Sequence, residues 1–266
     1  MINFKLKDFD KIIPVGREPD LKLSWYYLTD GDLWLRFAEQ TIYEYSTEAM
    51  QFFGNKPTPF NDYYIVRFLE DFSELFQSIS ESIPRNLYKL TENLKQFRED
   101  AQKWLDINDT DDDKYDDFYF NKYDRLISWT YNRMINSGHL IGGPQISFFK
   151  HHDKIRIVWN TEYTLENGIS LWTAKDGNFE MNFLDFVNEI RIFGEHFFKV
   201  MESQIKLTIA KEWDTIIIDK TRLIEEHKER QFEFDKNLSL LEYGTKDETN
   251  WAEIEELFDQ MKNEIK

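Results

Sequence analysis

Residues 145–160 read QISFFKHHDKIRIVWN, and this stretch decides the fold class because both of its halves have a period of two. Aromatic and β-branched residues lie on either side of the short polar segment HHD, which is typical of two antiparallel strands joined by a tight turn. The segments ISLWTA (169–174) and NFEMNF (178–183) follow, bounded by Asn-Gly and Asp-Gly turns. We therefore predict a four-stranded antiparallel meander.

Helical periodicity flanks the meander on both sides. A long amphipathic helix is predicted from Phe183 to Ile209, where apolar residues recur at i, i+3, i+4 and i+7. Three shorter helices are predicted before the meander, starting at Tyr63, at Pro84 and at Phe118, with the last one ending near Asn136.

The N-terminal segment is predicted to form strands. The stretch WYYLTDGDLWLRF (25–37) places Asp30-Gly31 between aromatic runs, a strong signal for a two-residue hairpin turn in which both residues have positive φ. Blocks of strands and blocks of helices predict the α+β class, with antiparallel hairpins and a meander packed against long amphipathic helices. We expect one α+β domain at 1–218 and a charged helical C-terminal extension at 219–266.

Composition excludes several classes of function. The 266-residue chain has no cysteine, which excludes disulfides, thiolate nucleophiles and cysteine-ligated metals. Fifty acidic residues against 33 basic ones give a formal charge of −17, which disfavours nucleic acid and anionic membranes and favours a basic protein partner. Without a signal peptide or an apolar run long enough to cross a bilayer, we expect a cytoplasmic protein.

The sequence contains no catalytic or metal motif that we can assign. HExxH, GxSxG, Walker A and GxGxxG are absent. The acidic run DINDTDDDKYDD (106–117) alternates Asp109, Asp111 and Asp113 like an EF-hand loop. However, Lys114 replaces the glycine of the sharp turn and Phe120 replaces the closing glutamate. We therefore predict no metal and no cofactor, and interpret the run as a solvated loop between helices.

The helix predicted from Phe118 carries the most distinctive local pattern. Trp129 lies off its apolar stripe, with Arg125 one turn before it and Arg133 one turn after it, a spacing that suits a cation–π stack. His139 follows the helix and would lie near this face if the Gly142–Pro144 turn folds back. Alternatively, the fold buries this second face, and neighbouring carboxylates neutralise both arginines.

Four segments give the chain a family resemblance. The segments LSWYYLTDGDLW, DYYIVRFLEDF, SGHLIGGPQISFF and GISLWTAKDG occur in this order. Together they resemble an uncharacterised bacterial family that is catalogued only as a domain of unknown function. The resemblance extends to about Glu226, implies a bacterial protein with a single cytoplasmic domain, and brings no established activity with it.

These observations favour a non-enzymatic acidic binding protein, comparable to immunity proteins and antitoxins, that binds a basic protein partner. Asp30 and Asp32, at the predicted hairpin, would attract that partner, and the surrounding aromatic side chains would contact it. Two alternatives stay open at this point. One is an enzyme of unrecognised type with a pocket near Trp129, Arg133 and His139, and the other is a structural or regulatory subunit.

Overall fold

The computed structural model describes residues 1–54, 56, 58–108, 116–213, 215–244 and 248–265. The strands are β1 (Ile2–Leu6), β2 (Leu21–Lys22), β3 (Asp30–Phe37), β4 (Gln40–Ile42), β5 (Asn61–Tyr64), β6 (Met134–Asn136), β7 (Gln145–His151), β8 (Lys154–Asn160), β9 (Gly177–Asn182) and β10 (Ile216–Ile217). The helices are α1 (Thr47–Phe52), α2 (Ile65–Ser73), α3 (Phe76–Ser80), α4 (Arg85–Leu90), α5 (Leu94–Asn108), α6 (Asp116–Tyr131), α7 (Phe183–Ala210), α8 (Lys220–Tyr243) and α9 (Trp251–Glu264). The prediction of an α+β fold is confirmed.

The N-terminal sheet is built around β3, and the predicted Asp-Gly hairpin is wrong. Asp30 and Gly31 are the first residues of β3, which pairs antiparallel with β1, β4 and β5. A 3₁₀ turn at Tyr27–Thr29 precedes them instead of a strand. Gly31 does not have a positive φ, and a Cβ there would lie 2.5 Å from the Lys5 carbonyl oxygen. The glycine is therefore needed because the β1 backbone approaches so closely.

The second sheet has the order β6, β7, β8, β9 and is antiparallel throughout. It contains three of the four predicted meander strands, but ISLWTA is not one of them. Within this segment, Trp172 forms an isolated bridge with Tyr45, and their rings stack at 4.6 Å. The fourth place is taken by β6, so the helix predicted to end near Asn136 ends at Tyr131. Pairing with β7 therefore overrides the helical pattern of these last residues.

Helix α7 matches its prediction to within one residue and lies at the centre of the larger apolar cluster. Its buried side chains, including Phe193, Phe197 and Met201, contact side chains from both sheets. The smaller apolar cluster, which we call the helical cluster, combines α4, α5, α6 and α9 with one face of β7 and β8. Rings contribute much of the core, as the 17% aromatic content suggests.

The C-terminal segment 219–266 contributes to both clusters. Phe234, Leu238 and Leu241 of α8 are buried in the larger cluster, while Leu257 and Met261 of α9 are buried in the helical cluster. Gly244, with φ 72°, ends α8 where a helix break was predicted. Helices α8 and α9 account for most of the described part of this segment, and their buried apolar side chains pack against the rest of the chain.

In the described ranges, no helix is both long enough and apolar enough to cross a membrane. The comparison with an EF-hand loop concerned Asp109, Asp111, Asp113 and Lys114, which lie outside the described residues. Among the residues that are described, no three histidine or acidic side chains are grouped so that they could hold a metal ion.

Candidate functional site

Asp30 and Asp32 lie within the N-terminal sheet, not at an acidic tip. The Lys7 ammonium group forms an ion pair with Asp30 at 2.6 Å, and the Thr58 hydroxyl donates to Asp32 Oδ1 at 2.9 Å. Burial raises the pKa of Asp32, the Thr58 hydrogen bond opposes this shift, and the nearby Asp62 adds to it. The two carboxylates are thus held by side chains next to the sheet, since Lys7 follows β1 and Thr58 precedes β5.

The cavity beside Asp32 is lined by charges of both signs. Its volume is about 350 Å³, and its charged lining residues are Lys5, Lys7, Lys11, Lys56, Asp8, Asp32 and Asp62. Lys11 pairs with Asp8, and Lys56 pairs with Asp62. Because lysines surround the carboxylates, this part of the surface does not present the concentrated negative charge that the sequence suggested.

The predicted stack of Trp129 between two arginines is replaced by buried packing. Trp129 is buried in the helical cluster, and its indole N–H donates to the Leu126 carbonyl at 2.9 Å. Arg125 is exposed and pairs with Glu253 of α9 at 2.6 Å. Arg133 is buried and pairs with Glu81 at 2.6 Å. The structure therefore agrees with the alternative interpretation of the sequence, in which this second face of the helix is buried and carboxylates neutralise both arginines.

Arg133 belongs to a buried polar group, the junction cluster, formed by Glu81, Arg133, Thr249 and Trp251. Glu81 accepts hydrogen bonds from the Arg133 guanidinium, the Thr249 hydroxyl and the backbone N–H of Glu248. Arg133 also lies over the Trp251 ring, 5.1 Å from its centroid. These contacts hold the start of α9 against the ends of α3 and α6.

The electrostatics of Glu81 agree with a structural role. Burial acts to raise the pKa of this carboxyl, but the bonds from Thr249 and Glu248 and the charge of Arg133 outweigh it. The net effect holds the pKa below its ordinary value, so the carboxylate stays ionised at neutral pH. A buried carboxylate that is fully bonded and ionised is better suited to joining elements than to transferring protons.

His139 does not join Trp129 and Arg133, so the pocket predicted from these three residues is not formed. The His139 ring packs against Tyr63 at 4.9 Å and lies at a small cavity near Asp71. The cavity of about 350 Å³ beside Trp129 and Arg133 is lined instead by residues of α3, α6 and the start of α9. Partial burial lowers the pKa of His139, with Asp71 opposing the shift.

The far end of the α5–α6 hairpin presents exposed apolar side chains beside charged groups of both signs, with the Lys122 ammonium 4.5 Å from the centroid of the Phe118 ring. Trp104 contacts Tyr119, and the Tyr123 hydroxyl donates to Gln102, so the two helices are antiparallel and their far ends are adjacent. The exposed fractions of Ile107, Phe118 and Phe120 are 54%, 53% and 55%. Asp106 and Asp124 are exposed beside them. We call these five residues, Asp106, Ile107, Phe118, Phe120 and Asp124, the α5–α6 tip.

A polar groove that the sequence did not predict lies on another side of α5 and α6. Its volume is about 550 Å³, and it is bounded by these two helices, the Gly142–Gly143 turn and the end of β8. Its only half-buried cation within the described part of the chain is Arg98. The sequence does contain a pattern that indicates partial burial of Arg98. This residue follows Leu94 by four positions and therefore lies at the edge of the apolar stripe of α5.

Comparison with known proteins agrees with the resemblance seen in the sequence. Neither the curated proteins nor the solved structures contain a match to this chain. A family model, described as a family of unknown function (DUF5984), matches residues 1–257. The match passes Glu226 and includes α8, so most of the C-terminal segment is part of the family pattern. The chain therefore belongs to the DUF5984 family.

Proposed function

We propose that this protein is a non-enzymatic acidic binding protein of the bacterial cytoplasm that binds a basic protein partner, comparable to immunity proteins and antitoxins. The observation that carries the proposal is the α5–α6 tip, where three apolar side chains are more than half exposed beside two aspartates and Lys122. Exposed apolar groups with a charged surround have the composition of a protein interface.

The charge of the chain supports a basic partner. The chain carries a formal charge of −17, and residues 106–117 alone contain seven aspartates and one lysine by sequence. Such a concentration of negative charge attracts a basic surface and accelerates encounter. The exposed rings of Phe118 and Phe120 then supply contact area that slows dissociation.

The experiment is a capture from the native host followed by kinetics with the recovered partner. Wild type, a Phe118→Ser/Phe120→Ser variant and a Leu184→Ser control are immobilised in parallel. Leu184 is an apolar residue of α7 that is 74% exposed and outside the tip. We expect wild type and the control to retain a basic protein that the double variant loses.

The salt dependence of association then tests the electrostatic part. Between low and physiological ionic strength, the association rate with the captured protein should fall steeply, because screening weakens attraction between exposed charges. Equal capture by all three forms, or an association rate that does not depend on salt, would show the proposal to be wrong.

A further inference from the structure

The groove between α5, α6 and the second sheet has features of a ligand site that is separate from the α5–α6 tip. It is lined by Lys95, Arg98, Glu99, Gln102, Tyr123, Tyr131, Gly142, Gly143, Gln145, Asn160, Thr161, Glu162, Tyr163 and Asp176. At about 550 Å³ it lies within the usual size range of small-molecule sites. We call it the Arg98 groove.

Arg98 is held in place but has no carboxylate partner. Its Nε donates to the Thr130 hydroxyl at 3.2 Å, and its guanidinium lies 4.2 Å from the centroid of the Tyr131 ring. Across the part of the chain that the structure describes, no carboxylate oxygen lies within 4.0 Å of its nitrogen atoms. The other arginines that are buried or partly buried, Arg133, Arg156, Arg191 and Arg230, each pair with a glutamate.

An unneutralised guanidinium at this position requires an explanation. Partial burial removes water from the charge without supplying an opposite charge, which costs free energy. The chain has 50 acidic residues that could have supplied a partner. Lys95, one turn earlier on α5, also lines the groove and has no ion pair among the described residues. This wall of the groove therefore offers two cations to an anion from outside.

The opposite wall is preorganised and contains an aromatic surface. Asp176 accepts hydrogen bonds from the backbone N–H groups of Thr161 and Glu162, at 2.7 and 3.0 Å, which fixes the end of β8. The Tyr163 ring lies directly against Gly142, where a Cβ would be 2.3 Å from the ring. Because only glycine allows this approach, the ring packs closely against the turn, and it is 44% exposed where it lines the groove.

Hydrogen-bonding groups between the two walls suit a ligand with several hydroxyls. Amide side chains come from Gln102, Gln145 and Asn160, and carboxylates come from Glu99 and Glu162. Carboxylates accept hydrogen bonds from hydroxyl groups, and a tyrosine face packs on the C–H surface of a sugar ring. The same carboxylates would repel a polyphosphate, so the ligand should carry only one anionic group.

We propose that the Arg98 groove binds a small polyhydroxylated anion, that is, a sugar bearing one phosphate or one carboxylate. The anionic group contacts the guanidinium of Arg98 and the ammonium of Lys95. The sugar ring packs on Tyr163, and its hydroxyls donate to Glu99 and Glu162.

Titration calorimetry with the full chain tests the proposal, using glucose 6-phosphate, glucuronate, glucose and AMP as probes. Arg98→Gln is compared with Arg17→Gln, which removes an exposed arginine outside the groove. We expect glucose 6-phosphate or glucuronate to bind more tightly than glucose, and Arg98→Gln to weaken that binding by about tenfold or more. Arg17→Gln should bind like wild type.

Tyr163→Leu provides a second variant whose effect differs from that of Arg98→Gln. It should weaken the charged sugars and glucose alike, because it removes the packing surface and keeps the cations. If only glucose 6-phosphate binds tightly, the ligand is a sugar phosphate. If only glucuronate binds tightly, the ligand is a sugar carboxylate. Binding of AMP alone, no binding of either charged sugar, or equal affinity in Arg98→Gln would overturn the proposal.

Discussion

The junction cluster and the Arg98 groove each contain an arginine whose side chain is at least partly buried, but only the arginine of the junction cluster is paired with a carboxylate. Arg133 is 1% exposed, and the Glu81 carboxylate that neutralises it is itself held by three further donors. Arg98 is only partly buried and is held by a threonine and a tyrosine ring, without a carboxylate among the described residues. Both guanidinium groups donate to backbone carbonyls near the end of α6, those of Trp129 and Thr130, so the position in the fold alone does not explain the difference.

The difference separates a structural charge from one that is available to a ligand. Removing one partner of a buried ion pair leaves the other uncompensated, whereas an arginine that never had a partner leaves no charge behind when it is replaced. Functional sites commonly contain charged groups that lower the stability of the folded protein.

The largest expected effect is that of Glu81→Gln. The substitution keeps the shape of the side chain but leaves Arg133 buried and charged without a counterion, so the free energy of unfolding should fall by about 3–5 kcal/mol. Glu92→Gln is the matched control, because Glu92 pairs with Arg156 but is 65% exposed. It should cost less than about 1 kcal/mol. Equal losses in urea denaturation of the two variants would contradict a structural role for Glu81.

The next prediction compares the two arginines directly. Arg133→Met should destabilise the fold by an amount similar to Glu81→Gln, about 3–5 kcal/mol, since it leaves the Glu81 carboxylate buried without a counterion. Arg98→Met should change the free energy of unfolding by less than about 1 kcal/mol, because lost hydrogen bonds to Thr130 are offset by the relief of an unpaired charge. Thermal and urea denaturation of both variants provide the measurement. A large loss in Arg98→Met would assign Arg98 a structural role.

A smaller effect concerns the pH dependence of the junction cluster. The pKa of Glu81 in the folded chain is held below its ordinary value, so its stabilising contribution is fully present above the unfolded pKa, about 4.3. That contribution is lost as the pH falls through the lower, folded pKa. The stability difference between wild type and Glu81→Gln should therefore shrink in acid, as followed by urea denaturation at a series of pH values. A difference that is constant down to the acid limit would mean that Glu81 ionisation does not stabilise the fold.

Elements that depend on a long local pattern could be predicted from the sequence. The stripe of α7 is 28 residues long, and its ends were predicted to within one residue because no tertiary pairing competes with it. The Asp30-Gly31 signal failed because β1 and β5 pair with these residues and turn them into the start of a strand. The prediction for the end of α6 is wrong for the same reason, because Met134–Asn136 pair with β7 as a strand instead of continuing the helix.

The predicted site residues show the same limit. Glu81 and Arg133 are 52 positions apart, and no local pattern indicates that the fold will bring them together. His139 was placed near Trp129 by assuming how the following turn folds, and the turn instead brings it to Tyr63. Arg98 could have been noticed at the edge of an apolar stripe, but the lack of a carboxylate near it is visible only in three dimensions.

The smallest effect extends the comparison to a carboxylate. Asp32, like Arg98, is partly buried, and its described hydrogen bond comes from a hydroxyl group, that of Thr58. Burial raises the pKa of Asp32, so this carboxylate reduces stability above its folded pKa, and the reduction disappears as the pH falls below the unfolded value of about 3.9. Asp32→Asn keeps an oxygen acceptor for Thr58 and removes the charge. It should therefore raise the free energy of unfolding slightly at pH 7, by less than about 1 kcal/mol because the group is partly solvated, and should have no effect near pH 3.

Asp62→Asn is the control for this prediction. Because it removes the ion pair between Asp62 and Lys56, it should not raise the free energy of unfolding. If Asp32→Asn lowered stability at pH 7, the carboxylate would contribute favourably, and partial burial without a direct ion pair would not mark a group as costly in this sheet.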